Sequence, residues 1–169
     1  ELNGLTVTPP ANYSGSFNLD ISATSTDGSD TASVFETLNI NVAGVADTPI
    51  LNLTDISANG YDPIRLDIDA GLSDSSEILS VTISNIPDGA TFNHGTVNAD
   101  GTVTLTADQL DGLTITPPDN CNVDSCQLTI TATATDGSDT TSVTGTLNVD
   151  IVNTPGYIVY GTWWSDRIE

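Results

Sequence analysis

Positive charge is almost missing from this chain. Its 169 residues include two arginines, Arg65 and Arg167, and no lysine, against 23 acidic residues, giving a net charge of −21. Nothing is available to neutralise phosphates, so nucleic acid is excluded as a partner, and anionic membranes repel the surface. Long apolar runs are missing too. No stretch reaches the roughly 20 residues of a membrane span, so direct membrane insertion is not expected. Histidine occurs once, in Phe92-Asn93-His94-Gly95, which reads as an exposed turn. Without it no Ser-His-Asp or Cys-His set exists. Paired carboxylates abound, as glycoside hydrolysis requires. A sandwich of this size has no evident deep cleft, however, and the aromatics that could stack on sugars sit only in the tail, so no catalytic residue is assigned and the chain is not expected to be an enzyme. No signal peptide is seen at Glu1, so a processed chain or a fragment is expected.

What is present is a repeat. Gly4-Leu5-Thr6-Val7-Thr8-Pro9-Pro10 returns as Gly112-Leu113-Thr114-Ile115-Thr116-Pro117-Pro118, and Thr26-Asp27-Gly28-Ser29-Asp30-Thr31 returns as Thr135-Asp136-Gly137-Ser138-Asp139-Thr140. The two Asp-Gly-Ser-Asp motifs lie 109 residues apart. A period near 100 with short alternating strands points to tandem β-sandwiches, an all-β fold. Leu128, Ile130, Ala132 and Ala134 alternate with Thr129, Thr131, Thr133 and Thr135, and Val143, Leu147, Val149 and Ile151 follow the turn as a second inward set. That is a hairpin with one buried face. Strands are expected at about 50–56, 63–69, 78–84, 90–97, 102–106, 112–116, 126–135 and 141–152.

Three segments are expected. Residues 50–155 read as a complete sandwich repeat. Residues 1–49 match only its C-terminal half and carry one apolar face, Leu19, Ile21, Val34, Leu38, Ile40 and Val42, with no opposing sheet in sequence. Such a face needs a cover. The best candidate within the chain is 157–164, in the aromatic-rich tail at 156–169 that holds Tyr157, Tyr160, Trp163 and Trp164. The tail reads either as a strand donated to a neighbouring chain or as the start of a following module.

Acidic residues recur at loop positions rather than in runs. In a seven-strand sandwich with strands running alternately down and up, the entering linker, the turn after the second strand and the final hairpin turn share one end. That brings Asp47, Asp74, Glu77, Asp136 and Asp139 together, with Asp69 nearby. A hard cation such as Ca²⁺ suits oxygens converging from three segments. Equally, Asp-Gly-Ser-Asp is good turn chemistry in its own right.

Cys121 and Cys126, the only cysteines, stand where the first copy has Tyr13 and Phe17, with one residue inserted between. An aromatic pair closing a loop is exchanged for a disulfide staple of on the order of 2 kcal/mol, or for two free thiols. Two thiols and one distant histidine do not make a zinc site.

The linker Val45-Ala46-Asp47-Thr48-Pro49, the run from Glu77-Ile78-Leu79-Ser80-Val81 to Ile86-Pro87-Asp88-Gly89-Ala90, Leu-Thr-Ile-Thr-Pro-Pro and the Thr-Asp-Gly-Ser-Asp turn occur together in this order. They resemble the cadherin-like and immunoglobulin-like repeats of very large bacterial surface proteins, including calcium-dependent adhesins of the RTX class. The resemblance covers most of residues 1–155. It implies an extracellular, secreted or cell-surface location, and repeats that extend an adhesin while calcium stiffens the linkers. The implied partners are neighbouring repeats or identical chains, and a cell-surface or biofilm ligand. Val152-Asn153-Thr154-Pro155 lacks an equivalent of Asp47, so calcium is expected at the first junction rather than the second. A filament subunit assembled by strand donation is the alternative role.

Overall fold

The computed structural model describes residues 3–59, 62–118 and 125–152. Among these the chain is β throughout, apart from one 3-10 turn at Ala107–Gln109. β1 (Gly15–Asp27) and β2 (Asp30–Val42) form an isolated two-stranded hairpin, paired antiparallel from Gly15↔Val42 to Asp27↔Asp30. β12 (Ser125–Asp136) and β13 (Asp139–Val152) form its counterpart, paired from Ser125↔Asp150 to Asp136↔Asp139. Both turn through Gly-Ser, with φ +63° at Gly28 and +60° at Gly137. A two-residue hairpin turn with positive φ at its first central residue takes glycine there because a Cβ would be strained.

Around β12–β13 the chain builds a sandwich. One layer is a six-stranded sheet in the order β4 (Ile56–Asn59), β13, β12, β7 (Ile78–Ser84), β10 (Val103–Thr106), β9 (Thr96–Val97). The facing layer is made of β5 (Ile64–Arg65), β11 (Thr114–Thr116) and β8 (Thr91–Phe92), with the pair β3 (Ile50–Leu53) and β6 (Ile68–Gly71). Alternation decides which side chains go inward. Val81, Ile83, Leu128, Ile130, Leu147 and Val149 are fully buried, and meet Ile64, Leu66, Leu113 and Ile115 from the other layer. Their hydroxylic neighbours face out, with Thr131 to Thr144 at 2.9 Å and Thr133 to Ser142 at 3.2 Å across the hairpin.

Three expected strands are broken. The run at 50–56 divides at Thr54-Asp55, where the chain leaves β6 and joins β13 in parallel as β4. The Asp55 carboxylate marks the crossing by accepting from the Asn148 N–H at 2.9 Å and its Nδ2 at 3.0 Å. The run at 63–69 divides at Leu66-Asp67, and its second part extends to Gly71. The run at 90–97 divides around the bend of Asn93, His94 and Gly95, where the Asn93 side chain bonds the backbone of Gly112 and Thr114.

The inner face of β1–β2 is exposed, with Ile21 at 47 %, Val34 at 57 % and Leu38 at 50 %. The tail expected to cover it, and Cys121 with its expected bond to Cys126, lie outside the described residues. In the first copy the aromatic pair that those cysteines replace is formed: Tyr13 and Phe17 meet edge to face at 5.7 Å.

Candidate metal centre

The site is built where the first hairpin hands over to the sandwich. β2 ends at Val42, and residues 43–49 run across the end of the sandwich that carries the β6–β7 turn and the β12–β13 turn. Linker amides are left without a strand partner there, and carboxylates from the two turns take them in succession. Val45 donates to Asp136 Oδ2 at 3.2 Å, Ala46 to Asp139 Oδ2 at 2.9 Å and Asp47 to Glu77 Oε1 at 2.6 Å. Such charge-assisted bonds are stronger than neutral ones. Asp136 also receives the Ser14 hydroxyl on Oδ1 at 2.6 Å, which ties the start of the first hairpin to the same carboxylate. Gly44 makes the close approach possible: a Cβ there would lie 2.5 Å from Asp136 Cγ and 2.7 Å from its carbonyl oxygen.

Three of the acids converge. Asp47, Asp74 and Glu77 each offer an oxygen within 4.8 Å of the others. Asp74 and Glu77 are buried, each 6 % exposed, while Asp47 is exposed. The Asp74 turn is self-capped, its Oδ1 accepting from the N–H and the hydroxyl of Ser76 at 2.8 Å each. Glu77 is different. Its Oε1 takes the Asp47 amide, and its Oε2 is the one buried side-chain polar atom without a hydrogen-bond partner among the described residues. Like charges this close repel by on the order of 3 kcal/mol per pair at an effective dielectric of 20. A buried, unsatisfied carboxylate oxygen adds a desolvation cost of about 1–3 kcal/mol or more. A cation placed among the three would remove both penalties. A cleft of about 320 Å³ opens at this point, lined by Pro9, Pro10, Tyr13 and Val45 together with Asp47, Asp74 and Asp136.

The five acids expected at the junction thus all lie there, in two roles. Asp47, Asp74 and Glu77 form a group that could hold a metal ion, and Asp136 and Asp139 hold the linker backbone. Asp69 stands apart, accepting from Asn52 at 3.1 Å. Gly44 and Ser14 are participants that the sequence reading did not single out. A glycine inside a linker does signal close approach, but nothing in the sequence names the group approached. No family model matches this chain, and no curated protein matches it in sequence.

Proposed function

We propose that this chain is a segment of a repetitive extracellular surface protein of the adhesin kind, in which sandwich repeats follow one another and a calcium ion braces the junction at Asp47, Asp74 and Glu77. Its role is mechanical rather than catalytic. The observation that carries this reading is the buried Glu77 Oε2, without a partner among the described residues, beside two further carboxylates. The donor set is all oxygen, which suits a hard cation, and three carboxylates from a linker and one turn suit the loose geometry of Ca²⁺ better than the octahedron of Mg²⁺. Repetition is supported by the first hairpin, whose own Asp27-Gly28-Ser29-Asp30 turn stands exposed at its far end, free to receive another linker as Asp136 and Asp139 receive this one.

Titration calorimetry tests it. Calcium should give saturable heat with a dissociation constant of roughly 0.1–1 mM, the extracellular range, and Asp74→Asn should abolish it. Absence of heat and of any melting shift at several millimolar calcium would reject the bound ion. A second reading, a filament subunit completed by strand donation, draws on the exposed inner face of β1–β2. Polymers that survive dilution favour it; a monodisperse monomer of 17.5 kDa favours the spacer.

A further inference from the structure

The two hairpins carry the same inward pattern in the same register. Leu19↔Leu38 corresponds to Leu128↔Leu147, Phe17↔Ile40 to Cys126↔Val149, and Ala23↔Val34 to Ala132↔Val143. One inward pair differs sharply: Ile21↔Glu36 stands where the sandwich has Ile130↔Gly145. In the sandwich this position faces β3. A Cβ on Gly145 would lie 2.8 Å from Leu53 Cδ1 and 3.7 Å from Leu51 Cδ2. Leu53 is half-buried, and its methyl could yield to an alanine. A glutamate brings four further heavy atoms and a charge into the same contact. Arg65, the one arginine among the described residues, is paired with Asp111 at the surface, so none of the described residues supplies an arginine or lysine to pair it. Burying that carboxylate unpaired would be costly.

We propose that residues 36 and 145 decide which hairpin the partial sandwich formed by residues 50–116 accepts: Gly145 admits β12–β13, and Glu36 bars the β1–β2 hairpin of a neighbouring chain. The threat is intermolecular. Within one chain, β1–β2 in the place of β12–β13 would put Val42 at the far end of the sandwich from Ile50. The distance is about 30 Å, because Leu53 lies beside Gly145, Ile50 precedes it by three residues, and Val42 would take the place of Ile151, roughly nine residues further at ~3.3 Å each. The seven linker residues 43–49 span at most about 25 Å. A neighbour's hairpin has no such restraint, and its aliphatic pattern fits. Misassembly between like units is the characteristic failure of repeat proteins. Discrimination between near-identical partners needs a repulsive element as well as attractive ones. Glu36 itself is exposed on the β1–β2 hairpin.

Exchange between full-length chains tests this. A Gly145→Glu chain, whose own hairpin is compromised, serves as acceptor. Mass-tagged wild-type and Glu36→Gly chains serve as donors, and complexes are counted by native mass spectrometry. The Glu36→Gly donor should bind at least about 10-fold more tightly and restore the acceptor's cooperative melting. Equal binding by both donors, binding by neither, or a Gly145→Glu chain that melts like wild type would each overturn the proposal. A second arm avoids dependence on a folded acceptor. Wild-type and Glu36→Gly chains are unfolded in denaturant and refolded at high concentration. The variant should yield several-fold more dimers and larger species, and equal yields would overturn the proposal.

Discussion

Glu77 uses its two oxygens differently, and that asymmetry gives a sharp test at the residue scale. Oε1 fixes the Asp47 amide, and Oε2 is buried without a partner among the described residues. Glu77→Gln keeps an oxygen for the Asp47 amide and removes the charge. In chelator the variant should therefore be more stable than wild type, by about 1–3 kcal/mol, the cost of an unsatisfied buried group. In calcium that advantage should shrink by the binding energy that wild type alone gains, because the amide is a poor ligand. Thermal melts in both conditions read this change. A variant less stable than wild type in both would make Glu77 a plain structural acceptor. Gly44 offers the complementary test from the linker side. Its Gly44→Ala Cβ would collide with Asp136 Cγ at 2.5 Å. Overpacking of this kind costs about 1–3 kcal/mol. Hydrogen exchange at the Val45, Ala46 and Asp47 amides should then quicken by roughly 10- to 100-fold, while amides in β7 and β12 keep their protection. Unchanged exchange at the three linker amides would mean that the carboxylates do not hold them.

At the scale of elements, β4 hangs on the edge of the six-stranded sheet, and Asp55 secures the crossing that delivers it. Hydrogen bonds to this carboxylate, first from the Asn148 side chain and then from its backbone N–H, hold its pKa below the usual aspartate range. A folded-state pKa that is lowered means that the charged form stabilises the fold. That contribution is present above the ordinary aspartate pKa near ~3.9 and disappears as pH falls through the lowered value. Asp55→Asn should flatten the stability profile in this acid window and leave it unchanged at neutral pH in slope, as measured by denaturant melts across pH. An unaltered profile would show that Asp55 does not couple to folding. These junctions between elements are also where sequence reading stops. The alternation Leu128, Ile130, Ala132 gave β12 to within a residue or so, and Ile78–Ser84 was legible at both ends, because a half-buried strand writes its period into the sequence. At Thr54-Asp55 the alternation slips by one residue, from Leu51 and Leu53 to Ile56 and Ala58, but the slip alone does not say where the chain goes next. It marks a change of sheet, which depends on what Asn148 offers from across the fold. The candidate site divides the same way. Topology brings Asp47, Asp74, Glu77, Asp136 and Asp139 to one end of the sandwich, and only Asp47, Asp74 and Glu77 come within reach of a single ion. Which of their oxygens already take a linker N–H depends on the path of residues 44–47, and no residue type encodes that path locally.

Across the whole molecule, 23 acids face two arginines, and Arg65 pairs with Asp111 at the surface, 3.3 Å apart with both side chains largely exposed. An exposed pair of this kind contributes little. Self-repulsion therefore opposes compactness, and any salt should stabilise the fold by screening, since the Debye length falls from about 30 Å at 0.01 M to about 8 Å at 0.15 M. Screening and site binding make separate predictions. Sodium chloride should raise the melting temperature gradually and affect wild type and Glu77→Gln alike. Calcium at matched ionic strength should add a further saturating increment in wild type only. For 10 mM calcium and a dissociation constant of 0.1–1 mM, that increment is about 1.4–2.7 kcal/mol, or several degrees for a unit of this size. Magnesium should reproduce the screening part and little of the remainder, because three carboxylates on a linker and one turn do not enforce its octahedron. If calcium and sodium chloride at equal ionic strength shift wild type equally, the junction is an acidic surface that salt merely screens. If the calcium increment survives in Glu77→Gln, the ion sits elsewhere on this surface.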